Sequence, residues 1–479
     1  MFVLPTVIFL FFALGCNAGS QSDDIRTGDN GTTAEETKEE VLRFPHEDRD
    51  FGGDTFAVLI DVEPVNSLDI DDLDVEGVNG EVLNDAYWNR KCYIEETYNI
   101  TLQGVHVTGI PTHAAKTIGS GIDDYDAFAP RLMNAAAFAA KGYGVDLFGT
   151  EYLSLDSPWW DQNIIRDTSI GGGLYFIAGD IFVKHYNGIS LLLFNKKILG
   201  DNGLENPYVL VNENRWTLEK FAEMTKNMTR DLDGNGKMDR YDQFGFSTQA
   251  DFLTSMLNSS GQRIIDKNAE DLPFFAANNE KTSIIIDRVL DIYVDNTYCL
   301  HRDAGAASMS QFFVFPEGRA LFMWALPWYI DYGMRDMEDD FGILPLPKFE
   351  PGQERYYHNV NHWHSYTYMI PRSAGDIGKT SYIMDALAYQ GRQGVLPAYY
   401  EVCLKRKYTR DEESEAMLDI IFGTTVYDMA LMYEIGGWLG AIGNGLYKGN
   451  NLTASTYEKL SAKIEKDLQN LIEQFEANR

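Results

Sequence analysis

A run of oxygen-bearing side chains at residues 231–242 has the composition of a metal-binding loop. The run reads DLDGNGKMDRYD, and its oxygen donors fall at positions 1, 3, 5, 9 and 12: Asp231, Asp233, Asn235, Asp239 and Asp242. Gly236 stands at position 6, where a sharp turn needs a positive φ, and Lys237 at position 7 can offer its backbone carbonyl. These positions match the ligand order of an EF-hand loop. Such a loop is rich in oxygen atoms because Ca²⁺ binds about six to eight of them. The sequence therefore predicts a structural Ca²⁺ site here.

Two features separate this loop from a complete EF-hand. Position 12 is Asp242, whose side chain is shorter than the usual glutamate, so we expect a lower affinity for the ion. The residues that follow, FGFS at 244–247, are typical of a strand, and a helix is therefore expected only before the loop. The alternative interpretation is an Asp- and Gly-rich turn that binds no metal.

The first of four cysteines follows an apolar run at residues 2–14 that is too short to cross a membrane as a helix. The run ends in ALGC at residues 13–16, and this resembles the lipobox of bacterial lipoproteins. The resemblance implies a lipoprotein signal peptide at residues 1–16 and a diacylglyceryl group on Cys16, which anchors the protein to a membrane. Residues 17–53 contain few core-forming side chains, and we expect a flexible tether there.

The other three cysteines, Cys92, Cys299 and Cys403, lie far apart in the chain. Their spacing indicates neither a zinc site nor a disulfide framework. We predict that they are buried free thiols.

The charge of the chain limits its partners. The 479 residues include 40 Lys and Arg against 72 Asp and Glu, a formal net charge of −32. Nucleic acids and anionic membrane surfaces repel such a chain, so no nucleic acid is expected as a partner. Hydrophobic residues make up 44% of the sequence, enough for a large core, and the length predicts roughly two or three domain-sized units.

Strand-like and helix-like segments alternate after the tether. Residues 55–62 read as a buried strand, residues 81–98 have a helical apolar face, and residues 101–107 alternate as a second strand. This order is typical of βαβ units and a mostly parallel sheet, so the predicted fold class is α/β.

The segment 315–347 places a tryptophan at the end of a buried strand. An apolar run follows Gly318 and leads to Pro327 and Trp328, and a second run, FGILPLP, ends at Pro347. In α/β sheets the ligand crevice lies at the ends of such strands. Trp328 is therefore a candidate ligand contact.

This segment resembles the bacterial extracellular solute-binding proteins, the carbohydrate-type receptors of ABC importers. The resemblance rests on the Gly-Arg-Ala strand, the Pro-Trp pair and the FGILPLP run, and it extends over nearly all of the chain after the tether. It implies a type II periplasmic-binding-protein-like fold, in which two lobes joined by crossing segments close over a ligand. It assigns residues 54–182 and 312–365 to lobe 1, and residues 183–311 and 366–479 to lobe 2.

The resemblance also implies which side chains bind the ligand. Aromatic rings contact the apolar faces of a sugar, and polar side chains bind its hydroxyl groups. Trp328 matches the stacking position of sugar-binding members, and five further candidates lie at the expected crossings and strand ends: Trp324, Trp363, His185, Asn187 and Arg131. Core packing is the alternative for each of these six. His362 and His364, two apart on a predicted strand, are expected to form hydrogen bonds or pack and not to bind a metal.

The implied function is that of a substrate-binding lipoprotein, not an enzyme. It would capture an oligosaccharide by hinge closure and deliver it to the permease subunits of an ABC transporter. It would act as a monomer on the extracellular face of a Gram-positive cell membrane. Two alternatives stay open: a secreted polysaccharide-acting enzyme, a hydrolase or lyase with paired carboxylates, and a Ca²⁺-stabilised adhesion module.

Overall fold

The computed structural model describes residues 42–62, 73–249, 251–293, 299–301, 311–334, 336–405 and 412–479. The predicted signal peptide, Cys16 and most of the tether lie outside the described residues. The chain divides into two units, Met1–Arg43 and Phe44–Arg479, and the described helices and strands belong to the second.

Strands and helices alternate along most of the second unit. The strands are β1 (Asp54–Asp61), β2 (Ile100–Val107), β3 (Ala127–Ala129), β4 (Leu191–Asn195), β5 (Phe244–Thr248), β6 (Ile265–Lys267), β7 (Pro273–Phe275), β8 (Cys299–His301), β9 (Ala320–Ala325), β10 (Phe341–Leu344), β11 (His358–Asn359) and β12 (Thr425–Val426). The α-helices are α1 (Val82–Tyr98), α2 (Ile110–Ser120), α3 (Leu132–Ala140), α4 (Gln162–Thr168), α5 (Lys196–Asp201), α6 (Pro207–Asn212), α7 (Leu218–Lys226), α8 (Phe252–Ser259), α9 (Glu280–Tyr293), α10 (Gln311–Val314), α11 (Pro327–Gly333), α12 (Ile377–Gln390), α13 (Leu396–Lys405), α14 (Glu412–Gly423), α15 (Met429–Tyr433), α16 (Trp438–Tyr447) and α17 (Thr453–Asn478). Short 3₁₀ turns occupy Leu147–Gly149, Val183–Gly188 and Ile435–Gly437, and a π-helical turn occupies Gly391–Val395.

The first sheet is parallel and has the order β2-β1-β3. Residues 58–60 of β1 lie opposite residues 127–129 of β3, and all six side chains are at most 1% exposed. Helix α1 turns its buried face, which includes Ile94 and Tyr98, toward this layer. The predicted strands at 55–62 and 101–107 and the predicted helix at 81–98 are confirmed, each to within one residue.

The second sheet is mixed and has the order β10-β4-β9-β5-β8. Strand β4 runs antiparallel to β9 and β10, whereas β5 runs parallel to β9 and β8. All six residues of β9 are at most 2% exposed, because this strand lies in the centre of the sheet with layers on both faces. The prediction of a buried strand before Pro327 is confirmed.

The strand pairing corrects the predicted lobe boundaries. The resemblance assigns residues 312–365 to lobe 1, but β9 and β10 pair with β4, which lies in the predicted lobe 2. It assigns residues 366–371 to lobe 2, but Met369 pairs with Phe128 and Pro371 pairs with Gly144 in the first half. Local patterns predicted the strands correctly, yet strand order depends on long-range pairing that a local pattern does not contain.

Two crossing segments, residues 177–191 and 358–371, connect the two sheets. They run antiparallel, with Ile177 opposite Tyr368 at one end and Ile189 opposite Val360 at the other. The two segments pack tightly at Gly188, since a β-carbon added there would be 2.9 Å from the carbonyl oxygen of Asn361. Asn361 N–H in turn donates to Gly188 O at 2.7 Å. The crossing is therefore a tightly packed, hydrogen-bonded joint.

A further sequence prediction concerns the three cysteines that follow the tether. Cys92 is a free thiol, as predicted, but it is half-buried and not fully buried. Cys299 and Cys403 lie in described backbone, although their side chains are outside the described part.

Among the described residues, no helix combines the length and apolar character needed to cross a membrane.

Candidate functional site

Side chains from both sheets converge on a turn in the second crossing segment. This turn, residues 361–364, separates two extended pieces of the segment, so His362 and His364 do not share a strand face as predicted. We call its surroundings the inter-sheet site. The site comprises the turn itself together with Asp61 and Arg131 from the first sheet and Asp251 and Trp328 from the second.

The first sheet contributes a buried ion pair at the ends of two parallel strands. Asp61 is the last residue of β1 and is fully buried, and Arg131 follows β3. The Asp61 Oδ2 atom accepts hydrogen bonds from Arg131 Nε at 3.1 Å and from Asn134 Nδ2 at 2.7 Å. The Oδ1 atom of Asp61 is also buried, and no group in the described part of the chain donates to it. The carboxylate therefore orients the guanidinium through its Oδ2 atom.

Sequence reasoning proposed Arg131 but missed Asp61 and Asn134. A usable signal was present, because Asp61 is the single charged residue in the apolar run at 55–62. A charge in a buried strand is costly unless it is paired, and it therefore indicates a partner or a site.

The turn presents an aromatic ring to solvent. The side chain of Trp363 is 45% exposed, and the Arg131 guanidinium lies over its ring at 5.8 Å from the centroid. The Asn361 Oδ1 atom accepts a hydrogen bond from the Trp363 backbone N–H at 2.9 Å and so fixes the turn. The sequence alone left two interpretations of Trp363 open, core packing and ligand contact. In the structure Trp363 lies at the surface of the inter-sheet site.

Trp328 lies at the opposite side of the turn. It follows β9 as the second residue of α11, is 9% exposed, and stacks on the His364 ring at 5.2 Å between centroids. Burial lowers the pKa of His364 to about 4, with a further contribution from the positive charge of Arg131. Burial also lowers the pKa of His362 to about 4, and His364 adds to that effect. Both imidazoles are therefore neutral at physiological pH.

Three of the six predicted ligand contacts lie instead in the packed interior. Trp324 is 2% exposed within β9, and its indole N–H donates to Ser255 Oγ at 3.0 Å. His185 is 1% exposed and its Nδ1 lies 3.0 Å from the carbonyl oxygen of Phe182. The Oδ1 atom of Asn187, which is 6% exposed, accepts a hydrogen bond from the Tyr399 hydroxyl at 2.8 Å. The structure therefore brings only Arg131, Trp328 and Trp363 together.

The second sheet contributes a carboxylate at the end of β5. Asp251 is exposed, and its Oδ2 atom accepts hydrogen bonds from Gln249 Nε2 at 3.0 Å and Asn361 Nδ2 at 3.4 Å. Residue 250 lies outside the described part of the chain. The Asn361 contact joins this strand end to the crossing turn, so both sheets contact the same short segment.

A separate open depression of about 510 Å³ lies away from these residues. Asp146, Arg372 and Arg479 contribute to its lining. It contains none of the predicted ligand contacts, and we do not assign the ligand to it.

The predicted Ca²⁺ loop lies between α7 and β5, as expected from its sequence. Oxygen atoms of Asp231, Asp233 and Asp242 lie within 4.8 Å of one another, a spacing that one cation can bridge. Gly236 has a φ of 76°, the positive value expected at position 6. The Asp231 carboxylate accepts backbone hydrogen bonds from Gly236 at 2.8 Å and Gly234 at 2.7 Å, and these bonds lower its pKa.

The two remaining predicted side-chain ligands of the loop, Asn235 and Asp239, accept hydrogen bonds from backbone N–H groups. Asn235 Oδ1 accepts from the backbone N–H of Lys237 at 2.7 Å, and Asp239 Oδ1 accepts from that of Tyr241 at 2.9 Å. Asp242 is fully buried and accepts from the backbone of Leu232 and Asp239. The loop is therefore shaped by its own hydrogen bonds, and three of its carboxylates already converge.

No protein-family model matches the chain, and no curated protein matches it. Several solved structures match the chain in fold. An ABC substrate-binding protein from Listeria monocytogenes in complex with cycloalternan is 12% identical with a TM-score of 0.56, and the match covers 87% of this chain and 99% of that one. A cyclic α-maltosyl-1,6-maltose binding protein from Arthrobacter globiformis is 13% identical with a TM-score of 0.57, covering 87% and 99%.

A third neighbour is the maltose/maltodextrin-binding domain from Bdellovibrio bacteriovorus bound to maltotriose. It is 14% identical with a TM-score of 0.51, and the match covers 87% of this chain and 100% of that one. At such identities the fold is what these proteins share with this chain. The two-lobed, type II periplasmic-binding-protein-like α/β fold that the sequence predicts is confirmed.

Proposed function

We propose that this protein is the substrate-binding component of an ABC importer and captures an oligosaccharide at the inter-sheet site. The observation that carries the proposal is the exposed Trp363 ring on the crossing turn, beside the oriented Arg131 and between the two sheets. A pyranose presents apolar C–H faces and a rim of hydroxyl groups. An exposed indole with polar groups at its edge complements both features. The sugar-binding proteins that share the fold support the same ligand class.

A thermal-shift screen against a glycan library, followed by titration calorimetry, tests this proposal. We expect saturable binding of at least one oligosaccharide. Trp363→Ala should weaken that binding at least about tenfold, equivalent to about 1.4 kcal/mol, because the stacking surface is lost. Trp363→Phe should retain part of the affinity.

The matched control is Phe148→Ala. Phe148 is 47% exposed in a 3₁₀ turn that contributes nothing to the inter-sheet site, so its removal should leave affinity unchanged. Equal binding by wild type and Trp363→Ala would contradict the proposed site.

We propose that the protein releases its ligand chemically unchanged, in contrast to the alternative of a polysaccharide-acting enzyme. The inter-sheet carboxylate Asp61 is committed to Arg131 and Asn134, which leaves it poorly placed as a general acid. A sugar-release assay on mixed glycans separates the two. Turnover by the purified protein would favour the enzyme, and unchanged glycans would favour the receptor.

We further propose that Cys16 carries a lipid anchor and that the protein acts as a monomer on the extracellular face of the membrane, where it delivers its ligand to the permease subunits. The ALGC motif at residues 13–16 supports the anchor. Partitioning into detergent should follow expression of the full chain and be lost in Cys16→Ser. A variant that partitions like wild type would exclude lipidation at this residue.

We also propose that the loop at 231–242 binds Ca²⁺ in a structural role. The convergence of Asp231, Asp233 and Asp242 supports it. Ca²⁺ added to chelator-treated protein should raise the melting temperature, because an ion that binds only the folded state stabilises it. Asp233→Asn should reduce the shift, and the exposed Asp156→Asn should leave it intact. No shift and no binding heat in the wild type would exclude the site.

A further inference from the structure

We propose that the buried Tyr427 stabilises the arrangement of the two halves in which the inter-sheet site is accessible, and that it thereby lowers the affinity for the ligand. The first half means the elements around the first sheet, and the second half means those around the second sheet. The inference rests on the proposed function and adds a residue that regulates ligand capture from outside the inter-sheet site. It follows from the hydrogen bonds of residues 424–428, which we call the brace segment.

The brace segment is bonded to the second crossing segment. Its strand β12 runs parallel to β11, with Thr425 opposite His358. The backbone N–H of His358 donates to Thr424 O at 2.9 Å, and that of Val360 donates to Val426 O at 3.0 Å. The brace segment therefore lies beside the joint that connects the halves.

Tyr427 binds the first half. Its hydroxyl donates to Asp161 Oδ2 at 2.7 Å, and its backbone N–H donates to Asp167 Oδ2 at 3.1 Å. Asp161 is fixed in that half, because the indole N–H of the preceding Trp160 donates to Asp385 of α12, and α12 packs against α1. A hydrogen bond from a hydroxyl to a carboxylate is stronger than one between two neutral groups.

The next residue, Asp428, binds the second half. Asp428 is 1% exposed, and its Oδ2 atom accepts hydrogen bonds from Asn258 Nδ2 at 3.0 Å and from the backbone N–H of Ile264 at 2.7 Å. Asn258 belongs to α8, where Phe252 packs against Phe246 of β5. Two consecutive residues of the brace segment are therefore each fixed to a different half.

A rotation of one half against the other must act on the backbone between Tyr427 and Asp428. The bond of the Tyr427 hydroxyl is sensitive to such a rotation, because hydrogen bonds weaken steeply with distance and angle. In the structure this bond is made while the side chain of Trp363 is 45% exposed, so it stabilises an arrangement in which the ring is accessible. Closure over a ligand has to weaken the bond, and that cost lowers the affinity.

Tyr427→Phe tests the inference in the full chain. The substitution removes the hydroxyl and keeps the ring, and Asp161 retains its bonds from Thr425 Oγ1 and from the Asn163 N–H. By small-angle X-ray scattering, we expect a smaller radius of gyration for the free variant than for the free wild type. By calorimetry, the oligosaccharide that binds most tightly in the glycan screen should bind the variant at least threefold more tightly.

Two results would overturn the inference: an unchanged radius of gyration and affinity, or a larger radius with weaker binding. If no glycan of the library binds the wild type, the proposed function fails. The radius of gyration of the free variant then still decides whether Tyr427 sets the arrangement of the halves.

Tyr382→Phe is the matched control. Tyr382 is also fully buried, and its hydroxyl donates to Glu47 O at 2.8 Å, a contact within the first half. Loss of this hydroxyl should leave the radius of gyration and the affinity at their wild-type values. Equal shifts in the two variants would show that the loss of any buried hydroxyl is sufficient, and would contradict a specific role of Tyr427.

Asp161→Asn weakens the same bond from the acceptor side. Because both substitutions act on one bond, their effects should not add. We expect the double variant to match Tyr427→Phe in affinity to within twofold. A double variant whose affinity change is the product of the two single changes would show that Tyr427 and Asp161 act separately, and would overturn the assignment.

Discussion

His358 shows how a single buried side chain constrains the joint between the sheets. Its Nε2 accepts a hydrogen bond from the backbone N–H of Leu346 at 3.1 Å. Its Nδ1 lies 2.8 Å from Thr424 Oγ1, which donates its own proton to Ile420 O at 2.6 Å. Nδ1 must therefore carry the proton and Nε2 must not, so the imidazole is neutral. Burial lowers the pKa of His358 to about 3.

This pKa predicts acid sensitivity of the fold. Between pH 6.5 and about 3 the unfolded chain binds a proton at His358 that the folded chain does not. Stability is therefore full above pH 6.5 and is lost as the pH falls toward 3, at up to about 1.4 kcal/mol per pH unit. His358→Gln removes this titration. Urea unfolding at pH 7, 6, 5 and 4 should show the wild type losing stability relative to His358→Gln, and parallel profiles would contradict the assignment.

The candidate site was only partly predictable at the residue scale. Trp363 and Arg131 were proposed because an aromatic side chain in a predicted crossing segment and a basic side chain after a predicted strand are visible in the sequence. Trp324 was proposed for the same reason, but it is the penultimate residue of a six-residue buried strand and is 2% exposed in a packed layer. The sequence shows the residue type at each position, but it does not show which face of β9 packs against other layers of the fold.

At the scale of elements, the π-helical turn Gly391–Val395 packs against the first crossing segment. Arg90 Nη1, from α1, donates to Ile181 O at 2.7 Å beside the turn. Arg392 of the turn pairs with Asp180, whose pKa burial raises to about 7 against the opposing effect of Arg392. A β-carbon at Gly391 would be 1.8 Å from the carbonyl oxygen of Asp180. The close packing of the turn against Asp180 therefore requires a glycine at position 391.

Gly391→Ala should destabilise the protein by about 2 kcal/mol or more, because the backbone of the crossing segment or the turn must move. Gly394→Ala in the same turn is the matched control, since a β-carbon there meets no atom within 4 Å. It should change the free energy of unfolding by less than about 1 kcal/mol and in the stabilising direction, as alanine is the better helix former. Equal effects of the two substitutions in urea unfolding would contradict the contact.

Elements themselves were predictable where a local pattern is sufficient. The strands at 54–61 and 100–107 and helix α1 followed from apolar periodicity. The place of β9 in the second sheet could not be predicted, because nothing in its sequence distinguishes pairing with β4 from pairing with β1.

At the scale of the whole second unit, two crossing segments and the last helix connect the halves. The crossing segments are hydrogen-bonded to each other, with Ser190 N–H donating to Asn359 O at 3.0 Å. Helix α17 contacts α3 beside the first sheet and α9 beside the second. Under the proposed function, a ligand at the inter-sheet site would contact both halves, and its binding would favour a closed arrangement of the two.

Small-angle X-ray scattering, with and without the oligosaccharide that binds most tightly in the screen, tests the central claim most directly. The account predicts a smaller radius of gyration for the saturated wild type, an unchanged profile for Trp363→Ala at the same ligand concentration, and recovery of the glycan intact. Saturated wild-type protein with the profile of the free protein, or recovery of a cleaved glycan, would contradict it.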